Sequence, residues 1–204
     1  MFTVMPQVRR DEPEGEPMHA VIRIRLGGFA LLLAFLTLLC PGTQSNAASG
    51  PEIDASVRAT LNQFFHEVWS ARDLANQATA ILVFPTVVKA GFGIGGEYGE
   101  GALHVRGKTA GYFNIISGSI GFQFGAQARS VIIMFMTDSA LAGFQRTQGW
   151  KVGVDGSVAI IAVGAGGAID TNSIRSPIVG FIFDQKGLMY NLTLEGSKIT
   201  QIYR

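Results

Sequence analysis

This sequence holds little of what reactive chemistry uses. Among 204 residues there is one cysteine, Cys40, and there are three histidines. A single thiol cannot close a disulfide framework within the chain, and no H-E-x-x-H or paired-cysteine spacing offers a metal site. Charge is sparse as well: Asp, Glu, Lys and Arg make up 15% of the residues, with a formal net charge of +1. Such a balance excludes broad electrostatic attraction to nucleic acid, so any anion must be recognised by a local cluster. What is plentiful is glycine, with 26 residues, and phenylalanine, with 14, in a chain that is 48% hydrophobic. Disorder is excluded by that content, and the length allows one domain or at most two.

The first residues read as a targeting segment. "RIRLGGFALLLAFLTLLCPGTQSNAA" places Arg23 and Arg25 before an apolar run from Leu26 to Leu39, then a Pro-Gly break and small residues. This is the layout of a secretory signal peptide, with cleavage expected after Ser45-Asn46-Ala47. The acidic, Pro-rich stretch before it is unlike a signal n-region and makes Met18 the expected start. An uncleaved anchor and a lipidated Cys40 compete with cleavage. The run is short against the roughly twenty residues that span a bilayer, and bulky Leu39 precedes the cysteine where a lipoprotein signal places a small residue. Residues 1–47 are thus read as an upstream segment plus signal, and 48–204 as one domain, periplasmic or secreted.

From Pro51 the period is helical: Ile53, Val57, Leu61, Phe64 and Val68 recur every three or four residues, and "ARDLANQATA" reads as a second short helix. At Ile81 the period changes to two. "ILVFP" is expected as a short strand closed by Pro85. "VIIMFM" (131–136) is the continuous apolar run of a strand covered on both faces. "TDSALAGFQRTQG" reads as a helix capped by Thr137 or Asp138, and "IVGFIFDQKGLMYNLTLEG" as a hairpin turning at Asp184 to Gly187.

Between them, "KAGFGIGGEYGEG" contains Gly91-x-Gly93-x-x-Gly96, the spacing of a dinucleotide-binding turn. That motif needs a helix opening at its last glycine. None is patterned here, because the strand alternation simply continues. Gly91, Gly93, Gly95, Gly99 and Gly101 fall on odd positions, and with Gly96 they are read as structural glycines. One strand face is then nearly bare backbone, which permits a sharp bend or close approach by another element. The long helix is the expected partner of that face.

No catalytic set emerges. His66 and His104 read as structural, "SGSIG" lacks the first glycine and the helix of a nucleophile elbow, and Glu97 and Glu100 lie on opposite strand faces. No cofactor or metal is expected. The remaining candidates are basic residues at strand and helix ends: Lys89, Arg106, Lys108, Arg129, Arg146 and Lys151. If these ends converge, they form a site for lipid phosphate.

The ordered blocks "AILVFPTVVKAGFGIGGEYGEGAL", "GYFNIISGSIGFQFGAQ", "VIIMFMTDSALAGF" and "GVDGSVAIIAVG" resemble the SYLF-domain family over nearly all of the chain after Val68. The resemblance implies a non-enzymatic lipid-binding domain, a bacterial secreted member. Relatives bind phosphoinositides, and yeast members bind actin. The secretion signal argues against actin here, and the implied partner narrows to anionic phospholipid or another amphiphile at a membrane surface. Lys89, Arg106 and Lys108 are the foremost phosphate candidates. The expected architecture is α+β: an N-terminal amphipathic helix packed on a Gly-rich, strongly curved, mainly antiparallel sheet or small barrel. The alternatives are an envelope protein-protein interaction module and a small outer-membrane β-barrel. Oligomeric state is not readable from the sequence.

Overall fold

Helix α1, Gly50–Glu67, starts where Ser49 breaks into extended backbone and Pro51 occupies the first turn. The Glu52 carboxylate accepts hydrogen bonds from the Ser49 amide and hydroxyl at 2.7 and 2.8 Å, which closes the helix start. The buried stripe is Ile53, Val57, Thr60 and Phe64, the helical period read from the sequence. A break at Val68 separates α2, Ala71–Gln77. The computed structural model describes residues 47–163, 175–187 and 194–204. The signal-peptide reading, and the return-strand positions Leu188, Tyr190 and Leu192, lie outside the described residues.

Two long strands dominate. β1, Ala80–Val105, and β2, Lys108–Phe135, pair antiparallel from Ala80↔Phe135 down to Val105↔Lys108, joined at Arg106 and Gly107, both with positive φ. Gly96 lies within a strand opposite Gly118, which excludes the nucleotide-turn helix. β2 shares its other edge between β6, Lys198–Ile202, along 112–116, and β5, Ile178–Gly187, along 127–135. Short strands β3, Trp150–Lys151, and β4, Ala159–Ala162, complete the two wings; β4 pairs with β5 in parallel and every other described strand pair is antiparallel. Helix α3, Asp138–Arg146, is capped by the Thr137 hydroxyl, which accepts from Ala140 N–H. The fold is α+β, with a strongly curled sheet.

The curl is a fold of β1 onto itself. A Cβ on Gly91 would meet Gly95 Cα, one on Gly99 would meet the Thr86 carbonyl and Val87, and one on Gly101 would lie 2.0 Å from the Val83 carbonyl. The bare face read from the sequence is therefore real. Its partner is the first half of the same strand, rather than the helix expected there, because two backbones approach more closely than a helix with side chains can. Two further expectations are corrected. Pro85 does not end a strand: it sits in a β-bulge between Phe84 and Val87, where its missing N–H costs no ladder bond, and Ser130 Oγ donates to its carbonyl at 2.8 Å. Asp184 to Gly187 is not a turn either, but a bulged extension of β5 that stays paired with β2 as far as Gln127.

Cores lie on both sides of the sheet. Inside the fold are Leu82, Phe84, Val87, Leu103, Ile115, Val131 and Ile133, closed at one end by Phe144 of α3 against Phe113, Phe135 and Trp150. Outside, Phe64 of α1 meets Phe181 and Phe183 at 5.0 and 5.1 Å, over Val83, Ile132 and Met134. Val131 to Phe135 are fully buried because each face of this strand has its own cover. Helix α1 occupies outer-face area that a membrane-spanning barrel would turn to lipid.

Candidate functional site

The fold of β1 draws ions inward. Arg129 Nη2 donates to Glu97 Oε1 at 2.6 Å with both side chains buried, and Ser117 Oγ donates to the other Glu97 oxygen at 3.2 Å. Lys89, only 5% exposed, faces the same side, since it pairs with Gln127, two residues along β2 from Arg129. Its cross-strand neighbour Gln127 is 2% exposed, and neither of its amide atoms has a partner among the described residues. Two cations and one carboxylate thus share the crease. Of the basic candidates read from the sequence, Lys89 and Arg129 come together here, inside the sheet.

The outer face is different. Tyr98 on β1 pairs with Ile116 on β2, Ile116 with Lys198 on β6, and Lys198 with Lys151 on β3. Directly paired residues of an antiparallel ladder share a face, so these four side chains form one row across four strands. Tyr98 is 48% and Ile116 46% exposed, and both lysines are exposed. Ile94, 75% exposed, and Val88, 47%, add apolar surface further along β1. Beside the row, Tyr98 Oη donates to Glu100, which also pairs with Arg204. That hydrogen bond to a carboxylate holds the Tyr98 phenol above its ordinary pKa.

The other candidates scatter. Arg106 and Lys108 flank the β1–β2 turn, about 25 Å along the strand from Tyr98 at ~3.3 Å per residue. Arg146 is exposed in the last turn of α3. Only Lys151 stands in the exposed row. Lys198, Tyr98 and Ile116 were missed as site residues, because alternation alone does not say which outward positions lack a covering layer.

Near the turn, Asp54 of α1 accepts from Thr109 and Tyr112 at 2.9 and 3.1 Å, clasping helix to sheet. His104 is half-buried there and its Nε2 has no partner among the described residues. Burial lowers its pKa, opposed by Asp54 and reinforced by Arg58. No cluster of potential metal ligands occurs among the described residues, nor is any described helix long and apolar enough to cross a membrane.

A cavity of about 410 Å³ opens between the end of α3, the start of β2 and β6. Its floor is Leu103, Phe113, Phe144 and Ile199, and exposed Gln145, Gln148, Gln201 and Tyr203 stand at its mouth.

A sheet with a core on each side, creased along glycine and carrying an exposed row of mixed apolar and basic residues, defines a small α+β domain. Residues 116–203 match the family described as Ysc84: Las17-binding protein actin regulator, in agreement with the SYLF resemblance read from the sequence. The match starts midway along β2, after the VFP-x-x-x-KAGF string. No curated protein matched the chain.

Proposed function

We propose that this domain binds anionic phospholipid at a membrane surface through the outer-face row, as a non-enzymatic peripheral protein of the cell envelope. The carrying observation is the alignment of Tyr98, Ile116, Lys198 and Lys151 across four strands on a face that no described element covers. Aromatic and aliphatic groups enter the headgroup region, while ammonium groups beside them meet lipid phosphate. An anchored surface of this kind needs no enclosed headgroup pocket. The periplasmic or secreted location proposed from the leader supplies the membrane, and peripheral attachment fits two lysines better than a large basic patch would. Arg106, Lys108 and Arg146 stand apart from the row and are not assigned to it, whereas Lys89 and Arg129 act by holding the crease.

Flotation with vesicles of phosphatidylglycerol and phosphatidylcholine, against phosphatidylcholine alone, tests the reading. The expected result is binding to the anionic vesicles that weakens with added salt and is lost in the Lys151→Glu, Lys198→Glu double variant. Equal failure with both vesicles removes the proposal. Pelleting with filamentous actin instead of vesicles would move the function to the one named in the family description.

A further inference from the structure

We infer that the cavity beside α3 is a separate binding site for an uncharged, hydroxyl-bearing amphiphile with a single alkyl chain. At about 410 Å³ it falls within the range of roughly 300–1,000 Å³ typical of small-ligand sites. It has the usual division of labour: a buried apolar floor and a few polar groups at the rim.

The floor sets the tail. Leu103, Phe113, Phe144 and Ile199 are all buried, and Phe144 is held by ring contacts to Phe113, Phe135 and Trp150 at 5.1, 4.9 and 5.6 Å. The floor is therefore a fixed part of the inner core, reached from solvent, rather than a loose gap between loops. An alkyl chain laid on it gains dispersion contact and leaves water.

The mouth sets the head. None of the lining residues carries a charge. A carboxylate or phosphate drawn toward Phe113 and Phe144 has no lining cation to compensate its lost hydration, and that loss is costly. Three basic side chains flank the lining without joining it: Arg146 lies between two lining residues, Arg204 is paired with Glu100, and Lys198, next to Ile199, packs over the outer side of Gly149. Gln145, Gln148 and Gln201 instead present exposed amides without partners among the described residues. Each amide both donates and accepts, the complement of a hydroxyl group, which does the same. A glycerol or sugar head satisfies such a rim, and an anion does not.

The site and the membrane-facing row use alternate residues of the same strands. Phe113, Ile115 and Ile199 point into the inner core, while Ile116 and Lys198, one residue along each strand, face outward. Ala110 and Gln201 can therefore be changed without touching the row, whereas Lys198 also packs over the lining residue Gly149.

Two tryptophans make the test direct, because Trp69 is exposed and Trp150 lies against Phe144. In a Trp69→Phe background Trp150 is the sole indole and reports on the cavity floor. Monooctanoylglycerol and octanoate, with equal chain lengths and each below its micelle-forming concentration, are titrated while Trp150 emission is followed. Monooctanoylglycerol is expected to give a saturable change, with octanoate weaker by about tenfold or more. Ala110→Phe, filling the mouth from an exposed lining position, is expected to abolish saturation. Gln201→Lys, on the exposed rim, is expected to bring octanoate up to or above monooctanoylglycerol, and it keeps the test decisive if Ala110→Phe fails to fold. Absence of a saturable change, equal response to the two probes in the unmodified rim, or no effect of either folded variant would overturn the assignment. Vesicle flotation of Ala110→Phe is expected to be unchanged, which separates failure here from failure of the membrane-binding proposal.

Discussion

Two rows of the same outer face meet opposite fates four residues apart on β1. Ala102 pairs with Tyr112, and Tyr112 with Ile202; this row lies near the start of α1, where Ala102 is fully buried and the Tyr112 hydroxyl is bonded to Asp54. Tyr98, Ile116 and Lys198 form the other row on the same strands, and there the sheet stays open. Strand, face and alternation are shared, so the difference is cover alone. Apolar alternation in a sequence assigns a face; it does not say whether the protein itself fills that face or leaves it for a partner.

The contrast breaks most visibly on the covered side. Phe64→Ala removes a fully buried ring from between Phe181 and Phe183, and a loss of about 3–5 kcal/mol in urea-unfolding stability is expected. Arg129→Met strands the Glu97 carboxylate in the crease and is expected to cost a similar ~3–5 kcal/mol, largely recovered when Glu97→Leu is added. Gly101→Ala drives a methyl into the Val83 carbonyl and is expected to cost about 1–3 kcal/mol or more, whereas Gly118→Ala, with nothing within 4 Å, should stay within about 0.5 kcal/mol. A pair of thermal melts separates the two glycines.

On the open side the order of effects reverses between stability and binding. Ile116→Ser is expected to change folding stability by no more than about 1 kcal/mol while lowering partition into anionic vesicles by about tenfold. A stability loss as large as that of Phe64→Ala would mean that the row is covered after all. The smallest effect concerns acid. His104 has a folded-state pKa below its ordinary 6.5, so the unfolded chain takes up the proton first. Its contribution to stability is therefore full above 6.5 and falls as the pH drops from there toward the folded pKa. Melting points at about pH 5 and about pH 8 should differ less in His104→Gln than in the parent.

Much of the architecture was legible. The helical stripe of α1, the doubly covered Val131–Phe135 run, the Thr137 cap and the odd-numbered glycines all follow from local periods and turn chemistry, which the chain carries in its own order. The self-packing of β1 was half-legible: Gly91, Gly99 and Gly101 announced close approach but not its partner, since bare backbone accepts a helix or a strand alike until the bend is known. The site was least legible. Lys89 and Arg129 look from the sequence like any strand-end cations, and only the crease puts them inside. Lys198 and Lys151 become neighbours through a pairing between strands 47 residues apart in sequence, a relation no local pattern encodes.

The bulge at Pro85 reaches further than its two residues. Before it, Leu82 and Phe84 face the inner core; after it, Val87 and Lys89 do, so odd numbers replace even ones on that side for the rest of the strand. The step works like a reading frame for side-chain direction. Losing Thr86 alone would leave the letters of "VVKAGFGIGGEYGEG" intact and invert their meaning, sending Lys89 and Glu97 to water and Tyr98 into the crease.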